Sequence, residues 1–214
     1  MITIENVNVT GFEAAIRGMR NPMNSWDKSD SNFNATYAPY NVWFGANDKK
    51  LMINLVKSGS DHRKFMRMIN VTMDIKAPLY WWKEFDTYKV GTVANSCSTM
   101  HKIHDKDFAV DDFSHEHLVG ASISILKTTI DMLNYWRDSF NLYKNKEYWW
   151  NMIQLLPSSY NQLRTVQLNY EVLYSIYFAR KDHKLDEWHT FCEAIKKLPL
   201  METFIKAKEE LDVY

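Results

Sequence analysis

Apolar and polar positions alternate over residues 2–9, ITIENVNV, with β-branched side chains among them. That period predicts a strand. Thr10 and Gly11 interrupt it, and FEAAIRGMR then predicts a short helix with Thr10 as its N-cap. Residues 21–45 are rich in Asn, Ser, Asp and Pro and predict a long loop or lid. Asn47 or Asp48 is placed to cap a helix over 48–57, with Leu51, Met52, Leu55 and Val56 on one face. A short helix or turn at 61–67 leads to a strand over 68–76, in which Ile69, Val71, Met73 and Ile75 share a face. Ala77-Pro78 ends that strand, because proline cannot donate to a ladder.

LYWWKEFDTYKV predicts a helix with a heavy aromatic face. Residues 91–104 are small and polar and predict a loop; 105–117 are acidic and predict an exposed segment. A long helix follows over 118–143, with Leu118, Ile125, Ile130, Leu133, Trp136 and Phe140 among its apolar positions. A further helical piece, 147–156, closes at Pro157. Residues 161–180 predict one amphipathic helix, and 184–197 another, broken at Leu198-Pro199. The elements describe a single α/β or α+β domain, dominated by helices with a few strands early in the chain.

Composition changes this picture little. The chain has 214 residues, 46% of them hydrophobic, enough for a real core. Basic and acidic residues balance at 26 each, so no global field draws the chain onto nucleic acid or membrane. Any polyanion contact requires a local basic pocket. No run approaches the length of a membrane span, and the N-terminus lacks the basic and apolar regions of a signal peptide. The two cysteines, Cys97 and Cys192, form no close pair and suit a reducing compartment. A cytoplasmic protein is expected. The composition is also compatible with a phage or gut-bacterial source, the former placing the chain in a host cytoplasm.

Several clusters carry candidate chemistry. Asn95, Ser96, Cys97, Ser98 and Thr99 gather small donors in one loop, which suits a phosphate or ribose pocket or simply a polar surface. Cys97 is either a nucleophile or a packed thiol. Lys83 and Lys89 are cations for an anionic ligand or exposed helix lysines. Arg180 and His183 sit at a helix end, where a cation is favoured with or without a ligand. His101-x-x-His104, with His115, His117, Asp111 and Asp112 nearby, has ligand-like spacing but completes no zinc signature, and no metal is expected. Tyr80-Trp81-Trp82 and Trp149-Trp150 read as core or interface before they read as stacking platforms.

The order of these segments resembles the flavin-dependent thymidylate synthases. GFEAAIRGMR resembles that family's first helix. LMINLVKSGSDH resembles the second, with His62 at the histidine of Gly-His-x-Ser and Asp61 in place of its glycine. VTMDIKAPLYWWKEF resembles the next strand, turn and helix, and LPSSYNQLRTVQLNYEVLYSIYFARKDHKLDEW the closing helices, with Arg180 on the substrate-binding arginine. Counted from Ala77-Pro78, the family's Arg-His-Arg becomes Thr87-Tyr88-Lys89. The serine after it becomes Thr92. Its Ser-x-Arg-Tyr becomes Cys97, Thr99 and Met100 at the three fixed positions; a one-residue slip instead matches Asn95 and Ser98. A single lysine does not replace the bidentate bonds of the missing arginines.

The resemblance implies a helix-rich fold with a mainly antiparallel sheet, spanning residues 1–214 as one domain and assembling as a homotetramer. It implies a pyrimidine deoxynucleotide of the dUMP type as ligand or substrate, with FAD, a reduced folate and NADPH for C5 methylation. Lys89, Asn95, Ser96, Thr99 and Arg180 would hold the nucleotide. Cys97 and Ser98 would stand at the reacting centre. His62, Tyr88, Lys89 and His183 would lie at the flavin. The other reading is a scaffold that binds or sequesters a nucleotide without catalysis.

Overall fold

The computed structural model describes residues 2–211. Four strands form one antiparallel sheet. They are β1 (Thr3–Thr10), β2 (Asn70–Pro78), β3 (Thr92–Ser96) and β4 (Asn161–Asn169), in the spatial order β1-β2-β4-β3. Eight α-helices and five short 3-10 helices are found among the described residues; the α-helices are α1 (Phe12–Arg20), α2 (Ala46–Lys57), α3 (Leu79–Phe85), α4 (Ala121–Tyr143), α5 (Lys146–Leu155), α6 (Tyr170–Arg180), α7 (Asp186–Lys196) and α8 (Met201–Glu209). None is long and apolar enough to cross a membrane.

The period-2 reading of β2 holds. Val71, Met73, Ile75 and Ala77 are buried and the residues between them are not, until Pro78 ends the strand buried as well. Two expectations fail. Residues 161–180 are a strand followed by a helix rather than one helix. Val166 and Leu168 point into the core at strand spacing while Leu163 is 42% exposed. Asn169 then caps α6, its side chain accepting from the Val172 N–H at 3.0 Å. The 91–104 loop also begins with a strand, β3, whose residues 93–96 are all exposed. An edge strand with no buried face shows no alternation to read.

Smaller corrections concern helix ends and faces. Gly11, not Thr10, precedes α1, in the left-handed conformation at φ 94° and against the Met68 carbonyl, where a Cβ would clash. The cap of α2 comes from the loop: Asp30 accepts from the N–H groups of Asn47 (2.9 Å) and Asp48 (3.1 Å). The helix expected over 79–90 ends at Phe85. In the 105–117 segment Phe108, Phe113 and Ser114 are buried. On α4 the buried side chains are Leu126, Ile130 and Leu133, while Ile125 is 67% exposed.

The chain divides into two compact units. One is built around Asp74–Thr87 and Ala94–Thr165. Its core joins Phe108 and Phe113 to Leu126, Ile130 and Leu133 of α4 and Met152 of α5. The α3 aromatics fill out this unit: Trp81, Trp82 and Phe85 are buried, and Trp81 stacks on Phe85 at 5.1 Å. The second unit is built around Ile4–Met73, Tyr88–Val93 and the residues from Val166 on. Phe12 meets Tyr170 edge-on at 5.6 Å and Phe65 meets Phe204 at 5.9 Å. Arg63 grips Glu171 with Nε and Nη2 at 2.9–3.1 Å and lies over the Tyr174 ring. The Glu171 carboxylate holds the Arg63 guanidinium in its charged form against the cost of burial. The long loop in this unit is anchored by Asp48, which is fully buried with Arg20.

Candidate functional site

β3 ends at Ser96, and the next residue is clamped to the start of β4. The Cys97 N–H donates to the Leu163 carbonyl at 2.9 Å, and Gln162 Nε2 donates to the Cys97 carbonyl at 2.7 Å. Gln162 is itself held. Arg164 Nε donates to its Oε1 at 2.9 Å, and Trp82 Nε1 donates to its main-chain carbonyl at 3.0 Å. Arg164 in turn lies over the Trp82 ring at 4.2 Å and donates to Asp86 at 2.7 Å. A charged pair, a stacked ring and an amide thus fix the backbone on which Cys97 stands. One step on, Ser98 Oγ accepts from the N–H groups of Met100 (3.1 Å) and His101 (2.9 Å) and turns the chain.

This geometry encloses a cavity of about 290 Å³ within the first unit, lined by Cys97, Ser98 and Thr99 with Lys76, Lys106, Asp112, Tyr160, Asn161, Gln162 and Leu163. Lys106 pairs with Asp112 at 3.1 Å, and the other Asp112 oxygen accepts from the Ala109 N–H at 3.0 Å. Lys76 has no ion-pair partner among the described residues. Two cations and one anion leave the lining with one net positive charge. Tyr160 supplies a hydroxyl. Burial, with the charge of Asp112 nearby, pushes its ionisation above the ordinary tyrosine value. It therefore stays protonated and able to donate. Asn161 is buried, and its Oδ1 accepts from Ser114 Oγ at 2.9 Å. The cavity offers an unpaired ammonium, three hydroxyls and an exposed thiol, the donor set of a small polar anion.

The sequence-predicted residues fall in several places. Cys97, Ser98 and Thr99 meet in this cavity. Asn95 and Ser96 lie on β3, exposed, and do not line it. In the second unit, Arg180 Nε donates to the Tyr88 hydroxyl at 2.8 Å, and its guanidinium lies 4.8 Å from the centre of the Trp188 ring. His183 packs edge-on against Trp188 at 6.2 Å, and its Nδ1 accepts from the Leu185 N–H. Lys83 and Lys89 are exposed. His62 lines a separate cavity of about 570 Å³, walled by Met19, Met23, Leu51, Leu55, Phe65 and Met68, which none of Tyr88, Lys89 and His183 lines. His101 and His104 belong to no cluster of three metal-ligating side chains among the described residues.

Lys76, Lys106, Tyr160, Asn161 and Gln162 are missing from the sequence reading. Asn161 and Gln162 were hidden inside the stretch read as a helix. Lys76 carried a readable signal, since it alternates with Ile75 and Ala77 and so leaves the buried face of β2.

No protein-family model and no curated protein matches the sequence. Solved structures do match, over nearly the whole chain. Thymidylate synthase X (ThyX) from Helicobacter pylori, with FAD and dUMP, superposes with a TM-score of 0.67 at 14% identity, covering 97% of this chain and 98% of that one. A second structure of the flavin-dependent H. pylori enzyme with FAD and dUMP gives 0.64 at 15%, covering 94% and 97%. The UMP/dUMP methylase PolB from Streptomyces cacaoi, bound with 5-Br dUMP, gives 0.65 at 14%, covering 97% and 95%. The chain has the fold of the flavin-dependent thymidylate synthases.

Proposed function

We propose that this protein binds a pyrimidine deoxynucleotide of the dUMP type. The observation that carries the reading is the polar cavity at Cys97–Thr99 with its unpaired Lys76, in a chain whose fold matches structures that hold dUMP or 5-Br dUMP. In this reading Lys76 meets the phosphate. Thr99, Tyr160 and the Ser98 hydroxyl donate to sugar or base oxygens. Cys97 stands on its clamped backbone beside the pyrimidine. Ser98 Oγ already accepts two N–H groups, so it acts as a donor rather than a nucleophile. Nucleotide in excess is expected to raise the melting temperature, because a ligand at about 100 times its Kd adds about 2.7 kcal/mol to stability. A thermal-shift titration with dUMP, against deoxyuridine and dTMP, checks this; an unchanged melting temperature at saturating dUMP refutes the reading.

The second reading is a working synthase, methylating C5 with reduced flavin, a folate and NADPH. The fold likeness to structures holding FAD favours it. Among the described residues, Tyr88, Lys89 and His183 do not line the cavity that His62 lines. His62 lines that cavity with Asn21, Ser25, Asp61 and Lys64 as well as apolar side chains, Tyr88 is engaged by Arg180, His183 by its own backbone, and Lys89 is exposed. An absorbance spectrum of the purified protein, and NADPH oxidation with and without dUMP, separate the two readings. Released FAD together with dUMP-stimulated oxidation would establish the synthase.

Arg180 is proposed as a nucleotide contact, positioned by Tyr88 and Trp188. Arg180→Ala is expected to weaken dUMP binding about 10-fold or more, as for a lost hydrogen bond to a charged group. Calorimetry reads this directly. Unchanged affinity would reduce Arg180 to a packing residue of α6 and α7. We also propose a homo-oligomer located in the cytoplasm.

A further inference from the structure

Asn161, the first residue of β4, borders the cavity that holds Cys97 and is only 8% exposed. One end of its amide is engaged. Oδ1 accepts from Ser114 Oγ at 2.9 Å, and Ser114 is buried as well. The backbone holds the two side chains together: the Ser114 N–H donates to the Ser159 carbonyl at 2.8 Å, and Phe113 forms an antiparallel bridge with Tyr160. The other end of the amide is free. Nδ2 of Asn161 has no hydrogen-bond partner among the described residues, and it is not among the polar atoms sealed in the interior. A nearly buried donor of this kind is satisfied only by what enters the cavity. The acceptors around it are already engaged. Gln162 Oε1 accepts from Arg164, the Cys97 carbonyl from Gln162, and the Leu163 carbonyl from Cys97. One Asp112 oxygen accepts from Lys106 and the other from the Ala109 N–H. An occupant therefore meets chiefly N–H and O–H groups.

We propose that Asn161 reads the base of the bound nucleotide. Its Nδ2 donates to the exocyclic oxygen on C4, so the site takes 4-oxo pyrimidines, uracil and thymine, and rejects the 4-amino pyrimidine, cytosine. The inference rests on the proposed nucleotide binding, and it adds a residue to which the resemblance gives no role. The depth of the cavity argues for C4. Lys106 is 72% exposed and Lys76 half-buried, so the cations stand towards solvent and draw the phosphate there. C4 lies across the ring from the glycosidic nitrogen. Its substituent therefore reaches farthest from sugar and phosphate, to the buried end where Asn161 lies. The ring N3–H is not the partner, because it needs an acceptor and Oδ1 is held by Ser114. A cytosine amino group in this place sets donor against donor and leaves both without a partner, which a buried site penalises strongly. Ser114 acts as a positioning residue. Its hydroxyl keeps the amide turned with the nitrogen towards the ligand.

Calorimetry on the full-length wild type is expected to show dCMP binding about 10- to 100-fold more weakly than dUMP. 4-Thio-dUMP keeps the N3–H and replaces O4 by a weak acceptor, and is expected to bind about 3- to 10-fold more weakly than dUMP. Asn161→Asp turns the reading end into an acceptor. Its added charge weakens both nucleotides, so the ratio of the two affinities is the readout, and it is expected to move towards dCMP by about 10-fold or more. Ser114→Ala frees the amide to turn and is expected to narrow the same ratio. If the wild type binds neither nucleotide, the nucleotide reading falls and this inference with it. Equal binding of dUMP and dCMP leaves that reading standing and overturns the inference alone. Tighter binding of dCMP overturns it too, since Oδ1 would then face the cavity. 4-Thio-dUMP as tight as dUMP overturns the contact with O4. An Asn161→Asp variant that loses both nucleotides in the same proportion reduces Asn161 to a structural residue. Should that variant fail to fold, the three ligands on the wild type decide the matter.

Discussion

Replacing Asp48 by alanine is expected to destabilise the fold by about 3–5 kcal/mol, the range for breaking a buried ion pair from one side. Asp48 is fully buried and Arg20 is 4% exposed. The carboxylate accepts from Arg20 Nε at 2.7 Å, from the hydroxyls of Ser29 (2.9 Å) and Ser31 (2.8 Å), and from the N–H groups of Asp30 and Ser31 at 3.0 Å. Removing it strands a buried guanidinium and frees the loop whose Asp30 caps α2. Arg20 keeps its bonds to the Ser25 and Lys28 carbonyls, but these neutralise no charge. Urea unfolding reads the loss, and hydrogen exchange across residues 24–34 shows whether the loop lets go with it. A midpoint within experimental error of wild type would mean that water accepts from all these donors in place of the carboxylate.

The same site predicts acid sensitivity. Burial pushes the Asp48 carboxyl up, but its bonds from Ser31, Arg20, Asp30 and Ser29 outweigh that and hold it below the ordinary aspartate value. A carboxyl lowered on folding contributes fully above its unfolded value, about pH 4, and the contribution is lost as pH falls through the lower folded value. The alanine variant should therefore lie closest to wild type in the most acid part of the profile.

What the sequence made legible follows from what each element buries. β2 was readable because it is covered on one face, which imprints period 2 on Val71, Met73 and Ile75. β3 was not, because TVANS buries nothing strongly and carries no alternation. β4 was mistaken for helix because NQLRTVQLN runs into α6 with no Gly or Pro between them. Its apolar Leu163, Val166, Leu168 and Tyr170 fit a helical stripe nearly as well as a strand. Asn169 marked the boundary, a cap residue with Glu171 in the first turn after it. Of the site, the Cys97–Thr99 segment was visible as small donors in a row. Its cations were legible only in part: alternation takes Lys76 off the buried face of β2, but only the fold brings it, and Lys106 from the segment before α4, to the cavity.

Lys76 therefore carries the second large expectation. Lys76→Ala is expected to weaken dUMP binding about 10- to 100-fold, since a hydrogen bond to a charged group contributes about 1.5–3 kcal/mol. Lys76→Glu should weaken it further, because it sets like charge against the phosphate. The loss should be specific: deoxyuridine has no phosphate and should bind the variants and the wild type alike. Lys106→Ala is the control within the same cavity. Its ammonium is already neutralised by Asp112, so removing it takes away less net attraction and frees a carboxylate that repels the same anion. Both effects should shrink in raised salt, which screens the charges. Equal losses for dUMP and deoxyuridine would place Lys76 against sugar or base. No loss for either, in a protein that still binds dUMP, would move the phosphate out of this cavity. Lysine on β2 would then be a surface cation, and the positive charge that a nucleotide needs would have to come from Arg180 or from another copy of the chain.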